Sequence, residues 1–214
     1  VGSIVIDGST ATTFLTRTII RGCESGSIGG AVRMQFGTLI LDGATLESNS
    51  AQSYGGAISA IEGVIKVVST GGTSVTRVRH NNAGGGGGGL ALEQSSDLLV
   101  TGSGTQLILA NNKGSHGAGI YISSSRATVS SGASFEVNNN VATSDGGGFY
   151  IVSESSFVST GDLTRLVVHK NTASFGAGGI GVGPASSLFV DSGTNMFTEN
   201  HAFNGDGGAV GFVK

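Results

Sequence analysis

The chain has 214 residues, of which 39 are glycine, one is proline and none is tryptophan, and its net charge is −3. The scarcity of proline excludes collagen, the 38 % hydrophobic content argues against a disordered tract, and the acidic balance predicts no nucleic-acid partner. Runs such as Gly84 to Gly89 argue against a helix bundle, because each interior glycine costs a helix about 1 kcal/mol. The composition therefore favours a β protein.

A repeat extends along the whole chain. Pairs of small residues, such as Gly29–Gly30 and Gly55–Gly56, precede an apolar anchor residue. The seven anchors, separated by 26 to 32 residues, are Val32, Ile58, Leu90, Ile120, Phe149, Ile180 and Val210. A period of this length is typical of solenoids.

A second element precedes each anchor. An asparagine, or a cysteine in the first repeat, stands nine or ten residues before the anchor, and an apolar residue stands three residues before that asparagine or cysteine. The apolar members are Ile20, Leu46, Val78, Ile108, Val137, Val168 and Phe197. Their polar partners are Cys23, Asn49, Asn81, Asn111, Asn140, Asn171 and Asn200. Asparagine at a bend adopts the left-handed conformation readily, and stacked asparagines pass hydrogen bonds between amides. We therefore expect a structural ladder rather than ligands for a sugar or a metal.

Three short strands are predicted in each repeat. The first follows the glycine pair, the second is a β-branched piece such as Thr38–Leu41 before a turn glycine, and the third ends at the asparagine element. Strands this short must pair with equivalent neighbours. The pattern predicts an all-β parallel β-helix of about seven coils of ~30 residues, in one domain over residues 1–214. We expect a right-handed helix, as strand crossovers usually are.

The glycine pairs are expected to mark a tight turn or close packing between coil walls. A phosphate-cradling loop would need a following helix, which the sequence does not predict. Cys23 is expected to be a buried small residue, and a single cysteine permits no internal disulfide.

Four tetrapeptides carry a family resemblance: Gly55–Ile58 reads GGAI, Gly29–Val32 and Gly207–Val210 read GGAV, and Phe197–Asn200 reads FxxN. They resemble the repeats of the polymorphic outer-membrane protein family of chlamydiae, although other repeats replace the phenylalanine by Ile, Leu or Val. The resemblance covers essentially the whole chain. It implies a surface-exposed β-helical passenger that is secreted by autotransport and used in adhesion.

Catalytic β-helices need clustered carboxylates, and none is predicted here. Equivalent positions are shared by Asp42 and Asp191, by Asp145 and Asp206, and by Glu47 and Glu199, but no pair lies in adjacent coils. The histidines occupy different registers, which argues against a metal site; they are His80, His116, His169 and His201. We therefore predict no catalytic residue, no cofactor and no metal ligand.

The sequence favours a structural or adhesive protein of the cell surface or the extracellular space, as a segment of a longer repeat protein. No signal peptide is visible at Val1, and no apolar run approaches a membrane span. Expected partners are flanking domains or other subunits that cover the terminal coils, and host-surface or glycan ligands. Two alternatives remain: a polysaccharide lyase or glycoside hydrolase with acids gathered by loops, and a carbohydrate-binding module using Tyr54, Tyr121 and Tyr150.

Overall fold

The chain winds into a parallel β-solenoid, because its short strands satisfy their backbone groups only by pairing with the equivalent strand of the next coil. The structure is a computed structural model that describes residues 3–205 and 207–212. Over these residues it contains 27 strands and no helix. Every strand pairing that joins two coils is parallel, and equivalent strands lie side by side in three sheets.

The first sheet contains the strands that follow the glycine pairs. Its eight members are β1 (Ile4–Asp7), β5 (Val32–Gln35), β9 (Ile58–Ile61), β13 (Leu90–Glu93), β17 (Ile120–Ser123), β21 (Phe149–Val152), β24 (Ile180–Val182) and β27 (Val210–Phe212). Each predicted anchor begins its strand and pairs with the anchor of the next coil, as Leu90 does with Ile120. The anchors up to Ile180 are fully buried.

The second sheet contains the predicted second and third strands of each coil. The second strands are β2 (Thr12–Thr16), β6 (Thr38–Asp42), β10 (Val64–Val67), β14 (Asp97–Thr101) and β18 (Arg126–Ser130). The third strands are β3 (Ile19–Arg21), β7 (Thr45–Glu47), β11 (Ser74–Arg79), β15 (Thr105–Ala110) and β19 (Ser134–Asn138). The two rows merge in the long strands β22 (Ser156–His169) and β25 (Ser187–Thr198), which makes twelve strands in all.

The third sheet was not predicted, because its strands are two residues long and too short to show an alternating pattern. They directly follow the asparagine element: β4 (Glu24–Ser25), β8 (Ser50–Ala51), β12 (Asn82–Ala83), β16 (Lys113–Gly114), β20 (Val141–Ala142), β23 (Thr172–Ala173) and β26 (His201–Ala202). The prediction of an all-β parallel β-helix of about seven coils is therefore confirmed.

One apolar core fills the interior from Ile6 to Val182. Inward and outward side chains alternate along the longer strands, as in β14, where Leu98 and Val100 are buried. Three phenylalanines occupy the middle of the core, with ring centroids 5.0 to 6.1 Å apart: Phe135, Phe149 and Phe157. The core thus connects neighbouring coils without interruption, as a solenoid requires.

Candidate functional site

The predicted ladder is present, and the hydrogen bonds between its successive members all run in one direction. Each ladder residue donates its backbone N–H to the side-chain oxygen of the next coil's asparagine, beginning with Cys23, whose N–H lies 3.0 Å from Asn49 Oδ1. From Asn49 onward, each Nδ2 also donates to that oxygen and to a carbonyl of the preceding coil. The ladder ends at Asn200, which accepts from Asn171. Every donor and acceptor of the interior asparagine amides is therefore used.

The prediction of Asn111 in this ladder is wrong, because Asn112 takes the position. Asn112 is fully buried and bonded to the asparagines on both sides, whereas Asn111 is exposed. The apolar partner is correspondingly Leu109, which pairs with Val78 and Val137 and points into the core, and not Ile108. The three-residue spacing is conserved between Leu109 and Asn112, and only the spacer to the anchor is one residue shorter.

The left-handed bend lies one residue earlier than predicted. The asparagines of the ladder do not adopt positive φ; the residue before each ladder position does, with φ between 53° and 65°. These residues are Gly22, Ser48, His80, Asn111, Asn139, Lys170 and Glu199. In the pair Asn111–Asn112, the first residue therefore supplies the bend, for which asparagine is well suited, and the second supplies the ladder.

Cys23 occupies the ladder position of the first repeat, as predicted. Its side chain is 6 % exposed, and its Sγ lies 3.7 Å from the carbonyl oxygen of Arg21. A thiol has no counterpart of the amide oxygen, so the asparagine hydrogen-bond series begins at Asn49. The prediction of a buried small residue is confirmed.

A second ladder, made of serine hydroxyls, was missed by the sequence analysis. It lies at the corner between the first and second sheets, where the N–H of Gly63 donates to Ser96 Oγ at 3.2 Å. The N–H of each serine then donates to the hydroxyl of the next, at 3.1 to 3.3 Å, through Ser125, Ser155 and Ser186. These serines stand five or six residues after an anchor, a signal hidden by the abundance of serine elsewhere.

The three tyrosines form a column on the outer side of the first sheet. Tyr121 and Tyr150 pair in register, their ring centroids lie 6.1 Å apart, and Tyr54 lies 5.4 Å from Tyr121. His116 covers the Tyr150 ring at 5.3 Å. Burial in this column raises the pKa of both Tyr121 and Tyr150. Because the rings cover one another, the column supports contact between coils more than it offers open faces for stacking a sugar.

Gly86 explains how the column forms. A Cβ atom built on Gly86 would lie 2.7 Å from Cγ of Tyr121, closer than side chains approach. The absence of a side chain there lets the tyrosine ring reach back toward Tyr54. Gly86 thus has a specific packing role within the glycine-rich run that begins at Gly84.

No family model, no curated protein and no solved structure matches this chain.

The glycine pairs have the packing role that the sequence predicted. In the predicted pair Gly55–Gly56, Gly55 has φ of 65°, and a Cβ atom on it would lie 2.3 Å from the carbonyl oxygen of Ile58. A Cβ atom on Gly56 would lie 2.2 Å from the carbonyl oxygen of Gly88 in the next coil. The first glycine therefore makes the turn, and the second allows the coils to approach.

The part of the chain that the structure describes has no helix long and apolar enough to span a membrane.

Four ion pairs join charged residues of the described part of the chain, each between a single basic and a single acidic side chain. Glu47 binds Arg79 at 2.8 Å, and Lys170 lies 3.8 Å from Glu199. Two histidines approach carboxylates: His116 lies 3.7 Å from Asp145, and His169 lies 3.4 Å from Glu136. Within residues 3–205 and 207–212, no group of three His, Cys, Asp or Glu side chains could hold a metal ion.

The equivalent carboxylates predicted from the sequence lie in different surroundings. Asp42 is buried, whereas Asp191 is exposed. Glu47 and Glu199 each face a basic residue of a neighbouring coil. Asp206, the expected counterpart of Asp145, lies outside the described residues. Two carboxyl environments in the described part of the chain alter a pKa: hydroxyl groups near Asp42 lower its pKa, and burial raises the pKa of Glu93.

Proposed function

We propose that this chain is a structural and adhesive β-helix of the cell surface or the extracellular space, without catalysis. The observation that carries the proposal is the asparagine ladder, which joins successive coils from Cys23 to Asn200. Together with the uninterrupted core, the ladder joins each interior coil to the next through the same contacts. Such a protein acts as a stalk, an adhesin passenger or a fibre subunit.

The GGAI and FxxN tetrapeptides support the surface location, because they resemble those of the chlamydial polymorphic outer-membrane proteins. The proposed partners are flanking domains or other subunits at the ends of the rod, and host-surface or glycan ligands along it.

Mechanical unfolding tests the structural part of the proposal. Force is applied between the two ends of the full chain, and the Asn140→Ala variant is expected to unfold at lower force than the wild type. Asn139→Gly is the matched control, because Asn139 is exposed and has φ of 53°. Equal unfolding forces for the two variants would show that the ladder does not support the rod.

Two further measurements test adhesion and the absence of catalysis. Beads coated with the folded chain are expected to attach to cultured epithelial cells more than beads coated with the heat-unfolded chain. Equal attachment would contradict an adhesive role.

A panel of acidic and neutral polysaccharides incubated with the chain is expected to remain intact. Cleavage that disappears on substitution of one carboxylate would instead support a lyase or a glycoside hydrolase.

A further inference from the structure

A cleft of about 230 Å³ opens on the second sheet where three successive coils meet. The guanidinium-bearing residues Arg17 and Arg77 line it from opposite coils, and Asp42, Gly71 and Ser74 complete its wall. These residues are far apart in the sequence, and the solenoid register brings them together. The cleft is separate from the tyrosine column, which lies on the first sheet.

Asp42 holds the loop that forms one side of this cleft. The carboxylate is 8 % exposed, and its Oδ2 accepts hydrogen bonds from the backbone N–H of Thr70, at 3.2 Å, and from the Thr70 hydroxyl. The Ser74 hydroxyl beside the carboxylate contributes most to lowering the pKa of Asp42, followed by the Thr70 hydroxyl. The charge of Asp42 is therefore stabilised largely by hydroxyl and amide groups.

Neither arginine is held in a direct ion pair by the described residues, although the positive charge of Arg17 contributes to lowering the pKa of Asp42. Among the described residues, no ion pair within 4.0 Å involves Arg17 or Arg77, and the Arg77 Nη1 donates only to the carbonyl oxygen of Val75, at 3.3 Å. Both side chains are exposed. Their planar sets of N–H donors are thus free to bind an anion from solution.

The loop between the arginines adds free backbone donors and little bulk. The N–H groups of Gly71, Gly72 and Thr73 have no acceptor within the described part of the chain. A Cβ atom on Gly71 would lie 3.8 Å from Arg17 Nη2, in ordinary van der Waals contact, so this glycine lies directly beside the guanidinium. Successive free N–H groups beside two cations form a concave surface suited to an oxyanion.

Two further arginines, Arg21 and Arg79, lie along the same outer wall, and Arg79 is ion-paired with Glu47. Arg79 and Arg21 both pair in register with Glu47, on either side of it, and Arg77 precedes Arg79 by two residues on β11. Adjacent strands are ~4.8 Å apart, so Arg21 and Arg79 are separated by about 10 Å along the rod. A polymer with regularly spaced anionic groups would be long enough to contact Arg21 as well as the cleft.

We propose that this cleft binds the sulfate or carboxylate groups of an acidic polysaccharide. Guanidinium groups bind such oxyanions through two parallel, charge-assisted hydrogen bonds. The inference rests on the proposed adhesive function, for which it names the ligand class. It is nevertheless independent of the ladder, because no cleft residue takes part in the asparagine hydrogen bonds.

Binding of the full chain to four immobilised polymers tests the proposal: dextran sulfate, polygalacturonate, neutral dextran and, as a polyanion that is not a polysaccharide, single-stranded DNA. Binding to at least one of the two acidic polymers and none to neutral dextran is expected, and the two acidic polymers distinguish sulfate from carboxylate recognition. Because exposed charges are screened by salt, the affinity should fall between low and high ionic strength. Absence of binding to both acidic polymers would overturn the proposal, as would equal binding to neutral dextran or to single-stranded DNA.

Substitution of the arginines locates the site. Arg17→Gln and Arg77→Gln should each weaken binding about tenfold, because each removes a charge-assisted contact. Arg33→Gln is the matched control, since Arg33 is an exposed arginine on the first sheet; it should change the affinity less than about twofold. An equal loss in all three variants would indicate non-specific charge attraction and overturn the assignment.

Inorganic sulfate should displace the acidic polysaccharide from the wild-type protein, and failure to displace it would contradict an oxyanion site.

The experiments distinguish failure of this inference from failure of the proposed function. Absence of polysaccharide binding, together with a lower unfolding force for Asn140→Ala and normal cell attachment, would reject only the cleft. Equal unfolding forces for Asn140→Ala and Asn139→Gly, together with intact polysaccharide binding, would reject only the structural role of the ladder.

Discussion

The side-chain oxygen of Asn112 accepts two hydrogen bonds from Asn81, one from its backbone N–H and one from its Nδ2, each of 3.0 Å. Asn112 repeats the arrangement toward Asn140, at 2.9 and 3.1 Å. The hydrogen bonds between ladder asparagines therefore share one direction, in which each asparagine donates to the asparagine of the next coil toward the C-terminus. Each asparagine side chain satisfies backbone groups of two neighbouring coils, which no apolar residue of the same size could do.

Asn112→Ala should strongly destabilise the protein. It removes the acceptor of two Asn81 donors and the donor to the carbonyl oxygen of Val78, all of them buried. Each buried polar group left without a partner costs about 1–3 kcal/mol, so the unfolding free energy should fall by about 3–5 kcal/mol. Urea denaturation followed by circular dichroism measures the change.

Asn111→Gly is the control for this prediction. Asn111 is exposed and has φ of 55°, which glycine adopts without strain. Its unfolding free energy should stay within about 0.5 kcal/mol of the wild type. If this variant lost as much stability as Asn112→Ala, the position of the ladder in this coil would be wrong.

Gly88→Ala should prevent the close approach of two coils. The new Cβ atom would meet backbone atoms of Lys113 and Ala118, at 2.1 to 2.7 Å, and backbone moves less easily than a side chain. We expect a loss of about 3 kcal/mol in unfolding free energy, measured by urea denaturation. Gly26→Ala is the matched substitution, because nothing lies within 4 Å of its Cβ position. A stable Gly88→Ala protein would contradict the tight contact.

Asp42 should make stability depend on pH in the acid range. Its folded-state pKa lies below the ordinary value of 3.8, so the folded protein binds this proton less readily than the unfolded chain. The stabilising contribution is therefore present above the unfolded pKa and is lost as the pH falls through the folded pKa. Urea denaturation of the wild type and Asp42→Asn should give curves that converge below about pH 4. Parallel curves throughout this range would contradict the prediction.

Tyr121 and Tyr150 should ionise above the ordinary value of 10.0, because burial disfavours the phenolate. The folded state holds these protons more tightly than the unfolded chain, so stability should fall as the pH rises past the unfolded pKa. Phenolate absorbance during an alkaline titration measures the ionisation. Tyr121→Phe and Tyr150→Phe should each remove part of the late absorbance change, and an unchanged titration in either variant would contradict the burial effect.

The periodic features of the fold were predictable because equivalent residues stack in a solenoid. A valine, isoleucine or leucine that suits the anchor position once suits it in every coil, so the repeat is visible without knowledge of the structure. The same holds for the glycine pairs, which must admit a neighbouring carbonyl oxygen in successive coils. The serine ladder was hidden because Ser96 and Ser125 resemble the many serines of ordinary turns.

The sequence by itself determined the parallel β-helix, its period and the existence of a polar ladder, because stacking imposes the same side-chain requirements on every coil. Only the tertiary structure decided that Asn112 and not Asn111 points inward, because that choice depends on the register of Leu109 against Val78 in the neighbouring strand. It alone also placed Arg17 and Arg77 around one cleft. Those arginines are not part of the recurring motifs, and their proximity follows from the stacking of coils and not from their spacing along the chain.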